Sequence, residues 1–125
     1  MKNLRNVSFR TNLLLAVLVV LICTVGALTS LASAPLTITV TNNSSWEIRH
    51  LYLSSASNDN WGPDQLDNSS INPGNSHTLN VSWDQSTVKL IGEDQDGCFV
   101  STTVNASGSA SWTIDSNATR HCGGE

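Results

Sequence analysis

Acidic and amide side chains crowd residues 58 to 75, which read NDNWGPDQLDNSSINPGN. Carboxylate oxygens are the ligands that Ca²⁺ prefers, and a protein site supplies about six to eight oxygen ligands. Asp59, Asp64 and Asp67 lie within this stretch. Their order lacks the spacing of an EF-hand loop, and Pro63 stiffens the centre. The composition nevertheless gives the hypothesis of a calcium site formed by these three carboxylates.

A structural interpretation explains more of the same residues. Trp61 and Leu66 are expected to fill the edge of a hydrophobic core, and Gly62 permits a sharp bend. Asp64 follows a proline and can cap a single helical or 3₁₀ turn by accepting hydrogen bonds from backbone N–H groups. The stretch is therefore interpreted first as a tied-down connection between strands, with calcium as the alternative.

A second acidic cluster, Glu93, Asp94 and Asp96, precedes Gly97. The Asp-Gly pair is typical of a tight hairpin turn, since glycine accepts a positive φ. Three carboxylates within four residues repel one another, and a bound cation would relieve that repulsion. We therefore expect a solvated turn at this position, with calcium as the alternative.

The sequence offers no arrangement of residues that is typical of an enzyme. His50, His77 and His121 are scattered, and no recognised nucleophile motif is present. A pair of glycosidase carboxylates could be drawn from the acidic residues, but a chain this short rarely builds the cleft that would hold them. We therefore predict no catalytic residue and a protein that is not an enzyme.

Aromatic residues offer a different chemistry, which is contact through a flat and partly polar ring. The sequence contains one tyrosine, Tyr52, and four tryptophans, which are Trp46, Trp61, Trp83 and Trp112. Rings that face the solvent could contact a glycan or a protein partner. Tyr52 and Trp61 are therefore the candidate ligand-binding residues.

The first 34 residues have the three parts of a secretory signal peptide. They begin with three basic residues, Lys2, Arg5 and Arg10. An apolar run then covers residues 13 to 28, and small residues follow it. A membrane-spanning helix needs about 20 apolar residues, which is more than this run provides. We therefore predict a signal peptide over residues 1–34, cleaved after Ala32 or Ala34, and keep a retained membrane anchor as the alternative.

Removal of the leader leaves two cysteines. Cys23 would leave with the signal peptide, so Cys98 and Cys122 remain for pairing in an oxidising compartment. A disulfide between them would close a loop of about 25 residues and stabilise the fold by roughly 3 kcal/mol. Two reduced thiols and a metal-bound pair are the alternatives, and the metal is disfavoured because neither cysteine has a second ligand at the usual spacing.

The same removal changes the charge balance. Three basic residues, Arg49, Lys89 and Arg120, remain against all ten acidic residues, which gives a net charge of −7. Binding to nucleic acid needs clustered lysine and arginine, and these three are isolated. The composition therefore excludes nucleic acid as a partner, and no membrane contact is expected after removal of the signal peptide.

Residues 35–125 are predicted to form a single domain. Apolar and polar residues alternate over short stretches, which is typical of strands with one buried face. A phase change near Arg49 and His50 predicts a bulge. The pattern predicts an all-β fold, a small antiparallel β-sandwich of about six to seven strands with one disulfide. The predicted strands cover residues 36–41, 46–54, 76–83, 87–92, 98–104 and 110–114.

Several short motifs occur in an order that resembles a group of known proteins. They are LYLS at residues 51–54, WGPDQL at residues 61–66, PG at residues 73–74, and then Cys98 and Cys122. In this order they resemble small exported bacterial domains of uncharacterised function. The resemblance implies a β-sandwich-like fold and gives no catalytic residue to carry over to this chain.

Two classes of function remain open. The first is an exported, non-catalytic binding or surface module that is secreted or periplasmic and contacts an unknown protein or glycan. The second is a calcium-stabilised structural domain of the cell envelope or the extracellular space, in which the acidic loops serve folding alone. Apart from this calcium, no cofactor is expected. Exposure of the tryptophans separates the two classes, because a binding module needs at least one accessible ring.

Overall fold

The computed structural model describes residues 33–123 of the 125-residue chain. Residues 1–32, which contain nearly all of the predicted signal peptide, lie outside the described residues. The described part contains seven β-strands and no helix, and therefore no helix able to cross a membrane. The strands are β1 (Ala34–Asn43), β2 (Ile48–Ser54), β3 (Ser76–Trp83), β4 (Thr87–Asp94), β5 (Cys98–Asn105), β6 (Ser109–Asp115) and β7 (His121–Cys122).

The seven strands form two sheets. The first sheet has the order β3-β1-β6, and the second has the order β2-β4-β5-β7. Apolar side chains from both sheets form one buried cluster, so the sheets pack face to face as the predicted β-sandwich. Every pair in the second sheet is antiparallel, as is β1 with β3. The pair of β1 and β6 is parallel, and the chain passes through β4 and β5 of the second sheet before β6 returns to the first.

Apolar residues and threonines alternate in β1, so the apolar side chains face the core and the threonines face the solvent. Leu36, Ile38 and Val40 are buried, and the threonines between them face the outside of the first sheet. Hydrogen bonds link these outward side chains to β3 in three pairs, Thr37–Asn80, Thr39–Thr78 and Thr41–Ser76.

The turn that enters β3 has the geometry that its sequence predicts. The amide of Asn75 donates to the carbonyl of Asn72 at 3.0 Å, and Gly74 has a φ of 83°. A type II turn requires a positive φ at its third position, and glycine adopts it at low cost. The Asn-Pro-Gly-Asn sequence therefore ends the long loop and sets the start of β3.

A buried asparagine joins the end of β1 to the loop between β2 and β3. Asn42 is fully buried, and its Nδ2 donates to the carbonyls of Trp46 at 2.6 Å and Ile71 at 2.8 Å. Its Oδ1 accepts hydrogen bonds from the amide and the hydroxyl of Ser44. The side-chain amide thus uses both of its donors and both of its acceptor sites. This arrangement holds Ile71 in place beside the core.

The predicted disulfide fastens the C-terminal segment to the second sheet. Cys98 of β5 and Cys122 of β7 occupy facing positions and are bonded to each other. The two-residue strand β7 is too short to show an alternating pattern in the sequence. The disulfide therefore fixes a strand that sequence patterning alone does not predict.

The turn between β4 and β5 differs from the solvated turn that the sequence predicts. Asp94 is 2% exposed, and its Oδ1 accepts hydrogen bonds from the amides of Asp96 at 2.8 Å and Cys98 at 3.0 Å. Its Oδ2 accepts a hydrogen bond from Arg120 Nε at 2.7 Å. The guanidinium of Arg120 also reaches Asp96 at 2.8 Å and lies 4.5 Å from the centre of the Trp46 ring. A cation from within the chain therefore offsets the repulsion in this acidic cluster.

Candidate functional site

The long loop between β2 and β3 lies along the free edge of β2. The amide of Gly62 donates to the carbonyl of Leu53 at 3.0 Å, and the amide of Gln65 donates to the carbonyl of Leu51 at 2.8 Å. A strand at the edge of a sheet exposes unpaired backbone groups, and a covering segment protects them from pairing with another chain. The loop is therefore a tied-down connection, as the structural interpretation of the sequence predicts.

Asp64 fixes the middle of this loop to β2. Its Oδ1 accepts hydrogen bonds from the amides of Leu51 at 3.0 Å and Leu66 at 3.1 Å, and its Oδ2 lies 2.7 Å from His50 Nδ1. Burial favours a higher pKa for Asp64, but the hydrogen bonds from Leu51, His50 and Leu66 outweigh it and hold the pKa below its usual value of 3.8. Asp64 thus caps backbone amides as predicted, although no helical or 3₁₀ turn follows it.

The lowered pKa of Asp64 predicts a loss of stability in acid. A carboxyl whose pKa is lower in the folded chain stabilises the fold above its unfolded pKa, and this contribution disappears as the pH falls through the folded pKa. We expect wild type to be more stable than Asp64→Asn at about pH 7, and the difference to shrink as the pH falls below about 4. Urea denaturation at about pH 7, pH 4 and pH 2 measures the difference. A constant difference would contradict a stabilising role for the charge of Asp64.

The expectation that Trp61 fills the edge of the core is wrong, whereas Leu66 is buried there as expected. Trp61 is 38% exposed, and its ring centre lies 5.5 Å from that of Tyr52 and 5.3 Å from that of Phe99. Inward positions of β2 hold buried leucines, so Tyr52 between them faces outward. Trp61 thus packs against Tyr52 on the outer face of the second sheet, whereas Leu66 is buried in the core.

Four rings form a continuous surface on the outer face of the second sheet, which we call the aromatic strip. It consists of His50, Tyr52, Trp61 and Phe99, in that order. Successive ring centres are 6.2, 5.5 and 5.3 Å apart, which are distances at which aromatic rings attract each other. The rings of His50 and Tyr52 are stacked, whereas Phe99 meets Trp61 edge to face. Mutual packing thus fixes the orientation of the rings.

An isoleucine forms the floor of the aromatic strip. Ile91 faces Tyr52 in β2 and Ser101 in β5, so its side chain shares their outward face. It is nevertheless 1% exposed, so the groups around it on this face shield it from the solvent. The strip is therefore anchored on an apolar side chain of the sheet and does not stand free in the solvent.

The hydroxyl of Tyr52 remains protonated under ordinary conditions. Burial raises the pKa of Tyr52, and the nearby carboxylates of Glu93 and Asp64 raise it further, because both disfavour the phenolate. The ring of Tyr52 thus offers an apolar face together with a hydroxyl that can donate a hydrogen bond. This combination suits a ligand that has both apolar and polar groups.

A shallow pocket, which we call the Arg49 pocket, adjoins the His50 end of the aromatic strip. Its volume is about 400 Å³. The bulge that the sequence predicts in β2 lies between Ile48 and His50, beside the pocket. The backbone of Asp67 and Asn68 is left-handed there, with φ of 46° and 67°. The pocket is lined by Glu47, Arg49, His50, Asn68, Ser69 and Ser70.

The six carboxylates suggested as calcium ligands lie in the two regions where the sequence places them, the long loop and the β4–β5 turn. They are Asp59, Asp64, Asp67, Glu93, Asp94 and Asp96. In the first region, Asp59 pairs with Lys89 at 2.7 Å, and in the second, Arg120 binds two of the carboxylates. Within residues 33–123, no three side chains of His, Cys, Asp or Glu are grouped so that they could hold a metal ion. Calcium binding stays a prediction.

The pair of His50 and Asp64 resembles the arrangement that orients a general base in hydrolases. Such a site also needs a nucleophile within hydrogen-bond distance of the other ring nitrogen. In the part of the chain that the structure describes, no serine or threonine hydroxyl is hydrogen-bonded to His50. The neighbouring Ser69 donates its hydroxyl to the carbonyl of Leu66 instead. The observed contacts of the pair therefore serve to fix the loop and the His50 ring.

The structure brings the two predicted ligand-binding residues, Tyr52 and Trp61, into contact, and it has two further features that are not among the predicted site residues. The first is Phe99, which lies between the buried Cys98 and Val100 in β5. The alternation of side chains along a strand therefore predicts that Phe99 faces outward. The second is the Arg49 pocket. One of its lining residues, Asn68, has a left-handed backbone that no sequence motif marks.

Known proteins supply no functional assignment for this arrangement. The resemblance to small exported bacterial domains stays a prediction. No family model, no curated protein and no solved structure matches this chain.

Proposed function

We propose that this chain is an exported, non-catalytic binding module that contacts a glycan through the aromatic strip. The observation that carries the proposal is the partly exposed Trp61, packed between Tyr52 and Phe99 on the outside of the second sheet. A large apolar ring in this position remains partly exposed to water, which is unfavourable for the folded chain. A binding partner that covers the ring would offset that cost.

The surroundings of the aromatic strip favour a glycan over a protein. A sugar ring presents an apolar C–H face that packs on an aromatic ring, and hydroxyls around its rim that need hydrogen-bond partners. The ion pair of Lys89 and Asp59 and the carboxylate of Glu93 border the strip, together with the Tyr52 hydroxyl. The strip therefore combines flat rings with both donors and acceptors at its rim.

Export is supported by the disulfide and by the leader. Disulfides persist in oxidising compartments and are rare in the cytosol. The bond between Cys98 and Cys122 is thus compatible with a secreted or periplasmic location, in a bacterium if the motif resemblance holds. Removal of residues 1–32 as a signal peptide would leave β1 complete, since that strand begins at Ala34.

Substitution of Trp61 tests the proposal. We expect wild type to be retained on at least one insoluble neutral polysaccharide among cellulose, chitin and starch granules, and Trp61→Ala to bind about tenfold or more weakly, because buried tryptophans dominate binding surfaces. Trp61→Tyr should keep most of the affinity, since it keeps a ring. Depletion isotherms with increasing polysaccharide measure the affinities.

Two results would contradict the proposal. One is equal retention of wild type and Trp61→Ala, provided that thermal unfolding shows both variants to be folded. The other is a failure of wild type to bind any of the three polysaccharides. Tyr52→Phe serves as the matched control, because it keeps the ring and removes only the hydroxyl, and a modest loss of affinity is expected.

A further inference from the structure

We infer that the Arg49 pocket is a second subsite, which takes one neutral sugar residue of the same glycan that crosses the aromatic strip. The inference rests on the proposed function and names the class of ligand, an uncharged oligosaccharide. It also assigns a role to residues that the strip does not use. Its basis is the position, the shape and the charge of the pocket.

His50 makes the pocket and the strip one continuous surface. Its ring lines the Arg49 pocket and is also stacked on Tyr52, with ring centres 6.2 Å apart. The hydrogen bond from His50 Nδ1 to Asp64 holds the ring in this shared position. A chain of linked sugars that lies on Trp61 and Tyr52 can therefore place its next residues over His50 and into the pocket.

The walls of the pocket are fixed by contacts that exist without a ligand. On one side, the amide of Ile71 donates to the carbonyl of Ile48 at 2.8 Å, and Ile48 donates back at 3.1 Å. The buried side chain of Asn42 holds the carbonyl of Ile71 as well. On the other side, Asp64 ties the loop to Leu51. A pocket whose walls are held in this way loses little conformational entropy when a ligand binds.

The size and polarity of the pocket suit a small polar ligand. Its volume of about 400 Å³ lies within the range of small-molecule sites, which is roughly 300 to 1,000 Å³. The six lining residues are all of polar or charged types, whereas sites for drug-like ligands are mostly lined by apolar residues. A ligand with many hydroxyls satisfies such a lining better than an apolar one does, because unpaired polar groups are costly when they are covered.

The charges of the pocket favour a neutral ligand. Arg49 Nε lies 3.5 Å from a carboxylate oxygen of Glu47, so the two charges largely offset each other. The carboxylate of Asp64 lies behind His50 and adds negative charge near the pocket. A carboxylated or phosphorylated sugar would meet this negative charge without a surplus of positive charge to bind it.

Arg49 and the serines supply the hydrogen bonds that a neutral sugar needs. The Arg49 side chain is 56% exposed and presents a planar set of donors that can bind two adjacent hydroxyls at once. Glu47 and Asn68 supply acceptors, and the hydroxyl of Ser70 can act in either direction. Donors and acceptors thus surround the space into which the sugar would fit.

Calorimetric titration with soluble oligosaccharides of increasing length tests the inference. The probes are neutral oligosaccharides of two to six residues, prepared from the polysaccharide that retains the wild type. We expect affinity to rise with length until the Arg49 pocket is filled. Arg49→Gln should bind the longest oligosaccharide about tenfold more weakly than wild type and the disaccharide equally well, because a hydrogen bond to a charged group is lost only when the ligand reaches the pocket.

A second pocket variant and a matched control accompany this comparison. Ser70→Ala should weaken binding of the longest oligosaccharide alone, by a smaller factor than Arg49→Gln. Ser111→Ala is the control, because Ser111 is exposed on β6 of the first sheet, whereas the pocket lies beside β2 of the second sheet. This variant should bind as wild type does.

The outcomes separate this inference from the proposed function. Loss of affinity in Trp61→Ala without a length-dependent loss in Arg49→Gln would overturn the subsite and leave the binding module in place. Absence of binding by wild type to every oligosaccharide would overturn both. Tighter binding of oligogalacturonate than of the neutral probes would overturn the assignment of a neutral ligand.

Discussion

Replacement of Asp94 by alanine should lower the free energy of unfolding by about 3 to 5 kcal/mol, which is the usual loss when one member of a buried ion pair is removed. The side chain of Asp94 is fully buried, and Arg120 Nη2 lies 2.6 Å from its Oδ2. Alanine would leave the guanidinium of Arg120 without its buried partner. It would also remove the acceptor of the Asp96 and Cys98 amides. Urea denaturation of the disulfide-bonded protein at neutral pH measures the loss.

Asp96→Asn is the matched control, because it alters the other carboxylate that Arg120 binds. The side chain of Asp96 is 57% exposed, and an ion pair in contact with water contributes only about 0 to 1 kcal/mol. Asp94→Asn should give a loss between those of the two variants, since its oxygen can still accept the two amides. A loss below about 1 kcal/mol in Asp94→Ala would show that burial of this carboxylate is not what holds the turn.

A loss of this size would be a large share of the total stability, because the domain is small. A single domain is stable by about 5 to 15 kcal/mol, and one of fewer than 100 residues buries a smaller fraction of its surface than a larger one. Asp94 and Arg120 join the β4–β5 turn to the segment before β7, and the disulfide joins the same two regions. Two strong links thus secure the C-terminal end of a fold whose core alone is modest.

Local patterns in the sequence predict most of the strands, because burial of one face dictates the alternation of side chains. β1 and β3 have this alternation and lie where the sequence places them. β2 starts at Ile48 and not at Trp46, since residues 44 to 47 bend around the side chain of Asn42. The parallel pairing of β1 with β6 could not be predicted in the same way, because it joins residues about 70 positions apart and depends on how the two sheets pack.

Local patterns predict less of the candidate site. Tyr52 and Trp61 are recognisable as candidate ligand-binding residues from residue type alone. Whether Trp61 faces the core or the solvent, however, depends on the path of the long loop along the edge of β2. The sequence predicts a solvated acidic turn at the position where Asp94 is buried against Arg120, because that partner lies 26 residues away. Contacts of this kind are decided by tertiary packing, which leaves no periodic signal in the chain.

Removal of the disulfide should cost about 3 kcal/mol, the value expected for a loop of this length. The bond joins residues 24 positions apart, and reduction releases the unfolded chain from that constraint. Cys98 is buried and Cys122 is exposed, so the double variant C98A/C122A also removes a little buried volume beside the core. Reduced wild type is the matched control, because it keeps both sulfur atoms and lacks only the bond. Equal stability of the reduced and oxidised proteins would contradict the prediction.

The disulfide and the Asp94–Arg120 pair should not act independently. Arg120 lies two residues before Cys122, and the amide of Cys98 donates to Asp94 at 3.0 Å, so both links share one small region. Without the disulfide the C-terminal segment has more conformational freedom, and the contact between Arg120 and Asp94 is formed in a smaller fraction of molecules. Asp94→Ala should therefore cost less in the C98A/C122A background than in wild type, by about 0.5 to 3 kcal/mol, which is the range for residues in contact. A double-mutant cycle of urea denaturation measures this coupling, and additive losses would mean that each link holds the segment without help from the other.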